Sequence, residues 1–156
     1  MNKIYQLNYS PATLDNIPLK KIIKNISEIF RDVKPTTIYL PFRNDVHTDH
    51  RFAFDSVMSC TKSFRYPSIK KVLAYETISE TEFTPPLSNN VFQPNSFSDI
   101  SEYMEEKIEI MNIYESEIGE HPFPRSERNI KALATYRGAT AGFEYAEAFM
   151  VLKEIF

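Results

Sequence analysis

The sequence predicts an α/β fold, because residues 36–76 have the pattern of a strand, a helix and a second strand in succession. Residues 36–40 are mostly β-branched or aromatic and are preceded and followed by proline, which is typical of a short buried strand. Helical spacing then relates Ala53, Phe54, Val57 and Met58. Residues 72–75 form a second apolar run. A strand, a helix and a strand in this order form the βαβ unit of a parallel sheet.

The segment before this unit predicts a helix. Asp15 and Asn16 supply an N-cap, and Pro18 suits a first-turn position. The helix is expected to end before Pro35. Its apolar stripe, at a spacing of about 3.6 residues, is formed by Leu19, Ile22, Ile23, Ile26 and Phe30.

The segment after the unit begins with a loop. Residues 79–96 are rich in Pro, Ser, Asn and Thr, and they predict a loop with a short extended piece at 91–92. A third helix is expected to begin at Asp99 or Ser101 and to end at Gly119.

The last part of the chain predicts a helix and a strand. Residues 121–125 contain two prolines and form a rigid connector. Ser126 then caps a short helix that Gly138 is expected to close. Residues 145–152 are apolar enough for a final strand. The sequence shows no repeat or linker, so residues 1–156 are expected to form a single domain.

Composition and charge exclude several classes of function. The 156 residues are 42% hydrophobic and 25% charged, which is ordinary for a globular protein. A net charge of −3 with scattered Lys and Arg argues against a nucleic-acid partner. No apolar run approaches the roughly 18 residues of a membrane span. A single cysteine, Cys60, excludes an internal disulfide, and with no signal peptide it favours a cytoplasmic location. The three glycines all lie in the last quarter, so a Gly-rich nucleotide-phosphate loop is excluded.

Two of the three histidines, His47 and His50, lie in the loop after the first predicted strand. On a helical turn they would face the same way, because residues three apart are neighbours there. Both could bind a metal, or one could bind it while the other acts on the substrate; Asp49 between them could hold an imidazole tautomer. The simpler alternative is a solvated helix start that Asp49 caps, with incidental histidines.

The segment Asp45-Val46-His47-Thr48-Asp49-His50 resembles the D-x-H-x-D-H motif of the zinc-dependent N-deacetylases, the PIG-L or LmbE-like family. These enzymes remove acetyl groups from N-acetylglucosamine-containing substrates. The resemblance implies a Rossmann-like three-layer fold with a mostly parallel sheet, and a small amino-sugar conjugate as substrate. Other stretches resemble the family in the same order, namely residues 34–35, 72–76, 97–101, 114–117, 121–126, 137–138 and 145–149.

The resemblance also implies roles for single residues. His50 matches the family's zinc ligand, and His47 matches the histidine that stabilises the oxyanion and protonates the leaving amine. Asp49 matches the carboxylate that orients His47. The implied chemistry is metal-assisted hydrolysis of an acetamide.

The sequence departs from the family in its first part. Family members carry an A-H-P-D-D-E motif that supplies two further zinc ligands and the general base, and nothing in residues 1–46 resembles it. We therefore expect the opening strands to be missing and the chain to be weakly active or inactive by itself. Residues 37–40, expected to be apolar on both faces, would then lie near an open sheet edge and favour homo-oligomers or aggregation.

Two other functional classes stay open at this point. One is a non-catalytic remnant that binds a sugar or a partner. The other is a stand-alone His-x-x-His metal module, with further ligands from Asp45, Asp49 or His121.

Four further residues are candidates for substrate contact. Arg43 and Asp45 lie in the motif loop, where the alternative is an ordinary salt bridge. The family resemblance places His121 near the rim of the active site, although a structural turn is the alternative. Arg125 could contact an anionic group of a substrate or simply face solvent.

Overall fold

The structure, a computed structural model, describes residues 3–87 and 89–156. The described chain divides into two compact units, unit 1 (Met1–Phe92 with Val151–Phe156) and unit 2 (Gln93–Met150). Its helices are α1 (Leu19–Val33), α2 (Thr48–Ser59), α3 (Met104–Ile113) and α4 (Glu127–Ala141). Its strands are β1 (Thr37–Pro41), β2 (Lys71–Tyr75), β3 (Ser96–Asp99) and β4 (Ala146–Glu154). Short 3-10 turns at Leu14–Asn16 and Ser101–Tyr103 lie shortly before α1 and directly before α3.

The predicted βαβ unit is confirmed in unit 1. β1 and β2 pair in parallel with Thr37 opposite Lys71 and Pro41 opposite Tyr75, and α2 lies between them in the chain. Helix α1 precedes this unit and confirms the helix that the apolar stripe predicted. The buried core joins α1 to the two strands through Ile22, Ile26, Ile38, Leu40, Cys60, Tyr66, Ile69 and Val72.

Burial alternates along β1, which corrects the expectation that this strand is apolar and buried on both faces. Ile38 and Leu40 are buried, whereas Tyr39 between them is 58% exposed. A strand with one face in the core and one face in solvent shows this period of two residues. β1 is also the edge strand in the order β1-β2-β4-β3 that the described residues form.

The sheet is mixed, so the expectation of a mostly parallel sheet is confirmed only for β1 and β2. β3 and β4 run antiparallel, with Ser96 opposite Phe149 and Asp99 opposite Ala146. β3 was not predicted, because its sequence Ser-Phe-Ser-Asp has a single apolar residue and gives no strand signal. The extended piece expected at 91–92 is not a strand, and Ser88 in the preceding loop lies outside the described residues.

Helix α3 is shorter than the sequence predicted. It ends at Ile113, and Tyr114 follows with φ −95° and ψ 66°, outside the helical region, so Gly119 does not terminate it. Ile113 and Tyr114 are exposed, which leaves the continued apolar period without a core to pack against. Apolar spacing alone overestimates a helix when its last turn buries nothing.

Helix α4 begins as predicted but ends one turn later. The Ser126 side chain caps it by accepting a hydrogen bond from the Asn129 amide. The C-cap is Gly142 at φ 82°, in the left-handed conformation that glycine adopts without strain. Gly138 instead lies buried inside the helix, where a Cβ would stand 2.6 Å from the backbone oxygens of Phe143 and Glu144. Close packing, and not termination, explains the glycine there.

Candidate active site

The histidine loop, defined as residues 42–50, leaves the carboxyl end of β1 and enters the first turn of α2. The turn at residues 77–81 leaves the carboxyl end of β2. Because β1 and β2 are parallel neighbours, both segments lie at the same edge of the sheet, where α/β proteins build their sites. The Val46 amide donates to the Glu80 carbonyl at 3.4 Å, which ties the two segments together.

His50 is held by a buried carboxylate. Its Nδ1 lies 2.7 Å from Oδ2 of Asp45, whose side chain is fully buried. The other oxygen of that carboxylate, Oδ1, accepts a hydrogen bond of 2.7 Å from the Thr81 hydroxyl. A carboxylate accepts hydrogen bonds, so this contact places the proton of a neutral His50 ring on Nδ1. The free lone pair is then on Nε2.

His47 has the opposite arrangement. It is the N-cap of α2, and its Nδ1 accepts a hydrogen bond of 3.2 Å from the Asp49 amide. An amide only donates, so Nδ1 carries no proton and the neutral ring carries it on Nε2. The ring centroids of His47 and His50 lie 5.2 Å apart with an interplanar angle of 29°. Two stacked imidazoles therefore present one N–H and one lone pair.

The side chain of Asp49 reaches the segment before α1 instead of His47. Its Oδ2 accepts from the Ala12 amide at 2.7 Å and its Oδ1 from the Leu14 amide at 3.0 Å. The hydrogen bond that joins Asp49 to the His47 ring comes from the backbone amide of Asp49. Asp49 therefore contacts the His47 ring through its backbone amide, and its carboxylate ties residues 12–14 to the start of α2. Its role in orienting His47 stays a prediction.

Asp45 and Arg43 occupy different environments within the histidine loop. Asp45 is 1% exposed and uses both oxygens inside the protein, where it contacts His50 and Thr81; its contact with a substrate stays a prediction. Arg43 is exposed and donates to the Asp55 carboxylate at 2.8 Å and 3.3 Å. That contact is the salt bridge that the sequence left open as the alternative for Arg43.

His121 and Arg125 belong to unit 2. His121 is exposed before Pro122. Arg125 donates to the Glu117 backbone oxygen at 2.6 Å and pairs with the Glu117 carboxylate at 2.9 Å. Their contact with a substrate stays a prediction.

The sequence analysis did not identify two residues at this edge of the sheet as part of the candidate site. Thr81 is 36 positions from Asp45, and no motif connects them. Tyr75 ends β2, and burial raises the pKa of its hydroxyl, with a smaller contribution from the negative charge of Asp45. The sequence signal for both was position alone, since each lies at or just after the carboxyl end of a strand.

Zinc ions in proteins are bound by histidine, cysteine and carboxylate side chains. A zinc-bound histidine usually donates its other ring N–H to a carboxylate, and His50 has this arrangement with Asp45. Within residues 3–87 and 89–156, no three His, Cys, Asp or Glu side chains gather closely enough to hold a metal. Among the described residues, the contact with Asp45 gives His50 the arrangement that a zinc-bound histidine usually has, and further ligands are not gathered beside it.

An α/β protein with a histidine pair and a buried aspartate at the carboxyl ends of parallel strands belongs to a broad class of α/β enzymes and binding proteins. Comparisons with known proteins narrow that class. The family model for the GlcNAc-PI de-N-acetylases, PIG-L, matches residues 1–61, which include the whole histidine loop. The resemblance of this chain to the PIG-L or LmbE-like family is therefore confirmed.

The chain is similar along its whole length to larger proteins. Diacetylchitobiose deacetylase of Thermococcus kodakarensis is 23% identical, and the match covers 100% of this chain and 59% of that protein. The structure of N,N′-diacetylchitobiose deacetylase from Pyrococcus horikoshii with its inhibitor MPG has a TM-score of 0.73 and 20% identity, covering 97% of this chain and 58% of that one. This chain thus spans about three-fifths of the length of these relatives.

The same fold occurs in a protein of another activity. The structure of GalB, the 4-carboxy-2-hydroxymuconate hydratase from Pseudomonas putida, has a TM-score of 0.63 and 16% identity, covering 88% of this chain and 60% of that one. At these identities the structural matches establish the fold, and function has to be argued from the site. No helix among the described residues is long and apolar enough to cross a membrane.

Proposed function

We propose that this chain contributes the His47–His50 part of a zinc-dependent N-deacetylase site. The substrate would be a small conjugate of N-acetylglucosamine, and the reaction would be hydrolysis of its acetamide. The observation that carries the proposal is the contact of 2.7 Å between His50 Nδ1 and the buried Asp45 carboxylate, which leaves the lone pair of a neutral ring on Nε2, the nitrogen that would bind zinc. The match of residues 1–61 to the PIG-L family and the similarity to a diacetylchitobiose deacetylase support the choice of substrate class.

Each residue of the pair has a separate task in this mechanism. His50 would bind the metal through Nε2. A bound zinc ion would polarise the acetyl carbonyl and activate a water molecule. The Nε2–H of His47 would donate a hydrogen bond to the carbonyl oxygen as negative charge develops there. When the C–N bond breaks, the leaving amine would take up the proton that the general base had removed from the water, and acetate would be released while His47 keeps its Nε2–H.

Asp49 positions His47 in this proposal. Its backbone amide caps the Nδ1 of His47 and keeps the Nε2 proton available. Its carboxylate fixes Ala12 and Leu14 and so holds the segment that runs beside the histidine loop. Substrate contacts of Arg43, His121 and Arg125 remain part of the proposal, to be tested by substitution.

Further groups are needed for catalysis. A catalytic zinc takes about three protein ligands, and a general base must accept the proton of the water. In the family these come from the A-H-P-D-D-E motif, which residues 1–46 do not contain. We therefore propose that full activity requires a segment that carries this motif, and that residues 1–156 alone hydrolyse the substrate negligibly.

The test measures zinc content and acetate release from N,N′-diacetylchitobiose. Two proteins are compared, namely the chain alone and the chain with an added N-terminal segment that carries A-H-P-D-D-E. We expect weak zinc binding and negligible turnover for the first, and retained zinc with turnover for the second. In the second protein His50→Ala should abolish metal retention, whereas Lys20→Gln on the exposed surface of α1 should change nothing.

Two results would contradict this proposal. One is robust deacetylation with about one zinc per chain by residues 1–156 alone, which would show that the chain completes its own site. The other is a zinc-loaded extended protein that binds the disaccharide without turnover, which would favour a non-catalytic sugar-binding module.

A further inference from the structure

A continuous series of hydrogen bonds runs from the segment after β2 to the His50 ring. The Thr77 amide donates to the Thr81 hydroxyl oxygen at 2.8 Å. The Thr81 hydroxyl donates to Asp45 Oδ1 at 2.7 Å, and Asp45 Oδ2 lies 2.7 Å from His50 Nδ1. These hydrogen bonds therefore connect two loops through one fully buried carboxylate, that of Asp45. The two loops lie more than thirty positions apart in the sequence.

The Thr77 amide determines which group donates in each of these hydrogen bonds. An amide N–H is always a donor, so the Thr81 oxygen must accept there. The single hydroxyl proton of Thr81 is then left for Asp45 Oδ1. With Oδ1 occupied by that proton, the carboxylate is held in the rotation that aims Oδ2 at Nδ1 of His50. Charge-assisted hydrogen bonds of this kind are strong and directional.

The turn that carries Thr81 is itself braced. The amides of Glu80 and Thr81 donate to the Thr77 carbonyl at 3.0 Å and 2.9 Å. The Val46 amide, one residue after Asp45, donates to the Glu80 carbonyl at 3.4 Å. The Thr81 hydroxyl is therefore held at a defined place against Asp45 by the backbone of two segments.

We propose that Thr81 is a positioning residue for His50. Through Asp45 it keeps the His50 ring in one orientation and in the Nδ1–H tautomer, so that Nε2 is the nitrogen offered to a metal. The link to zinc rests on the proposed function, whereas the effect on the tautomer can be measured on the metal-free protein.

The experiment is long-range ¹H–¹⁵N correlation NMR of the histidine side chains in the full chain without metal, at about pH 8.5, above the usual imidazole range. Protonated and bare ring nitrogens have well separated ¹⁵N shifts, so the tautomer of each ring is read directly. We expect His50 to carry its proton on Nδ1. Thr81→Val removes the hydroxyl at nearly constant volume and should lower the ratio of the Nδ1–H to the Nε2–H form about threefold to tenfold.

Two variants serve as controls. Thr81→Ser keeps a hydroxyl and should retain the wild-type ratio. Thr84→Val removes another hydroxyl, which donates to the Asn44 carbonyl of the same loop, whereas the Asp45 carboxylate bonds to Thr81 and His50. It should leave the His50 tautomer unchanged, and the amide spectrum of each variant reports whether the protein is folded.

Zinc titration of the same samples separates this proposal from the proposed function. If His50 Nε2 binds zinc, Thr81→Val should weaken binding about tenfold. A changed tautomer with no zinc bound at His50 supports the positioning role of Thr81 and refutes the metal assignment. An unchanged tautomer in folded Thr81→Val, or an equal change in Thr84→Val, would overturn the positioning role.

Discussion

The rings of His47 and His50 stack with their centroids 5.2 Å apart, and they are held by opposite kinds of hydrogen bond. His47 Nδ1 accepts from an amide, whereas His50 Nδ1 faces a carboxylate. Identical side chains three positions apart thereby obtain different free nitrogens, an N–H on His47 and a lone pair on His50. Position explains the difference, because His47 is the N-cap of α2 and His50 lies in its first turn.

The cap role of His47 predicts a loss of stability that is independent of catalysis. His47→Ala removes the acceptor for the Asp49 amide and should lower the free energy of unfolding by about 1 kcal/mol. His47→Asn supplies another good N-cap and should recover most of that loss. Urea denaturation of the metal-free chain measures both values. Equal stability of the Ala and Asn variants would show that the cap contributes nothing.

Removal of the buried Asp45 carboxylate should cause a larger loss of folding stability. Asp45→Ala leaves His50 Nδ1 and the Thr81 hydroxyl without their partner in a partly buried site, which should cost about 1–3 kcal/mol. The matched control is Asp55→Ala, which breaks the ion pair with the exposed Arg43 and should cost less than about 1 kcal/mol. Denaturation midpoints of the two variants are compared under the same conditions. A smaller effect for Asp45 than for Asp55 would refute the structural importance of the buried carboxylate.

Alanine should destabilise the protein more at Gly138, inside α4, than at Gly142, the C-cap of α4. Helix propensity favours alanine over Gly138 by about 1 kcal/mol, yet its Cβ would lie 2.6 Å from two backbone oxygens. We expect Gly138→Ala to destabilise unit 2 by about 2 kcal/mol. At Gly142 nothing lies within 4 Å of an added Cβ, and only its φ of 82° opposes alanine. Gly142→Ala should therefore cost about 1 kcal/mol, and thermal unfolding that reverses this order would contradict the packing at Gly138.

The contact between Asp99 and Ser101 predicts a pH effect. The Ser101 hydroxyl and amide donate to the Asp99 carboxylate at 2.6 Å and 2.9 Å and lower its pKa. Because the folded pKa is depressed, this stabilisation is present above the unfolded pKa of about 4. It is lost as the pH falls through the lower folded value.

A direct titration tests this effect. Ser101→Ala should raise the pKa of Asp99 towards its ordinary value, and Ser98→Ala, at the neighbouring position of β3, should not. Carboxyl ¹³C NMR follows Asp99 in the three proteins. An identical pKa in the wild type and in Ser101→Ala would show that the hydroxyl bond is absent in solution.

Much of unit 1 could be predicted from the sequence, because burial there follows clear periods. Ile22 and Ile26 repeat at helical spacing, and Ile38 and Leu40 alternate along a strand. β3 escaped prediction because its pairing with β4 depends on backbone hydrogen bonds between distant segments and not on apolar pattern. Gly138 was misread as a helix end, because a glycine needed for close packing and one needed for a left-handed turn look the same in a sequence.

In the candidate site, too, features local in sequence could be predicted, and contacts between distant segments could not. His47 and His50 could be singled out because they lie three positions apart after a strand. The family resemblance implied that the Asp49 carboxylate orients His47; in the structure this carboxylate bonds to Ala12 and Leu14, and the Asp49 amide contacts the His47 ring. Thr81 could not be found, since its contact with Asp45 exists only after β1 and β2 pair.

Zinc titration of the full chain, followed by ¹⁵N NMR of the two imidazoles, tests the central claim most directly. The account predicts that the Nε2 resonance of His50 moves on addition of zinc, that its Nδ1 proton remains, and that His50→Ala abolishes the effect. A response at His47 Nε2 without one at His50, or no response of either ring at millimolar zinc, would contradict the assignment of His50 as the metal ligand.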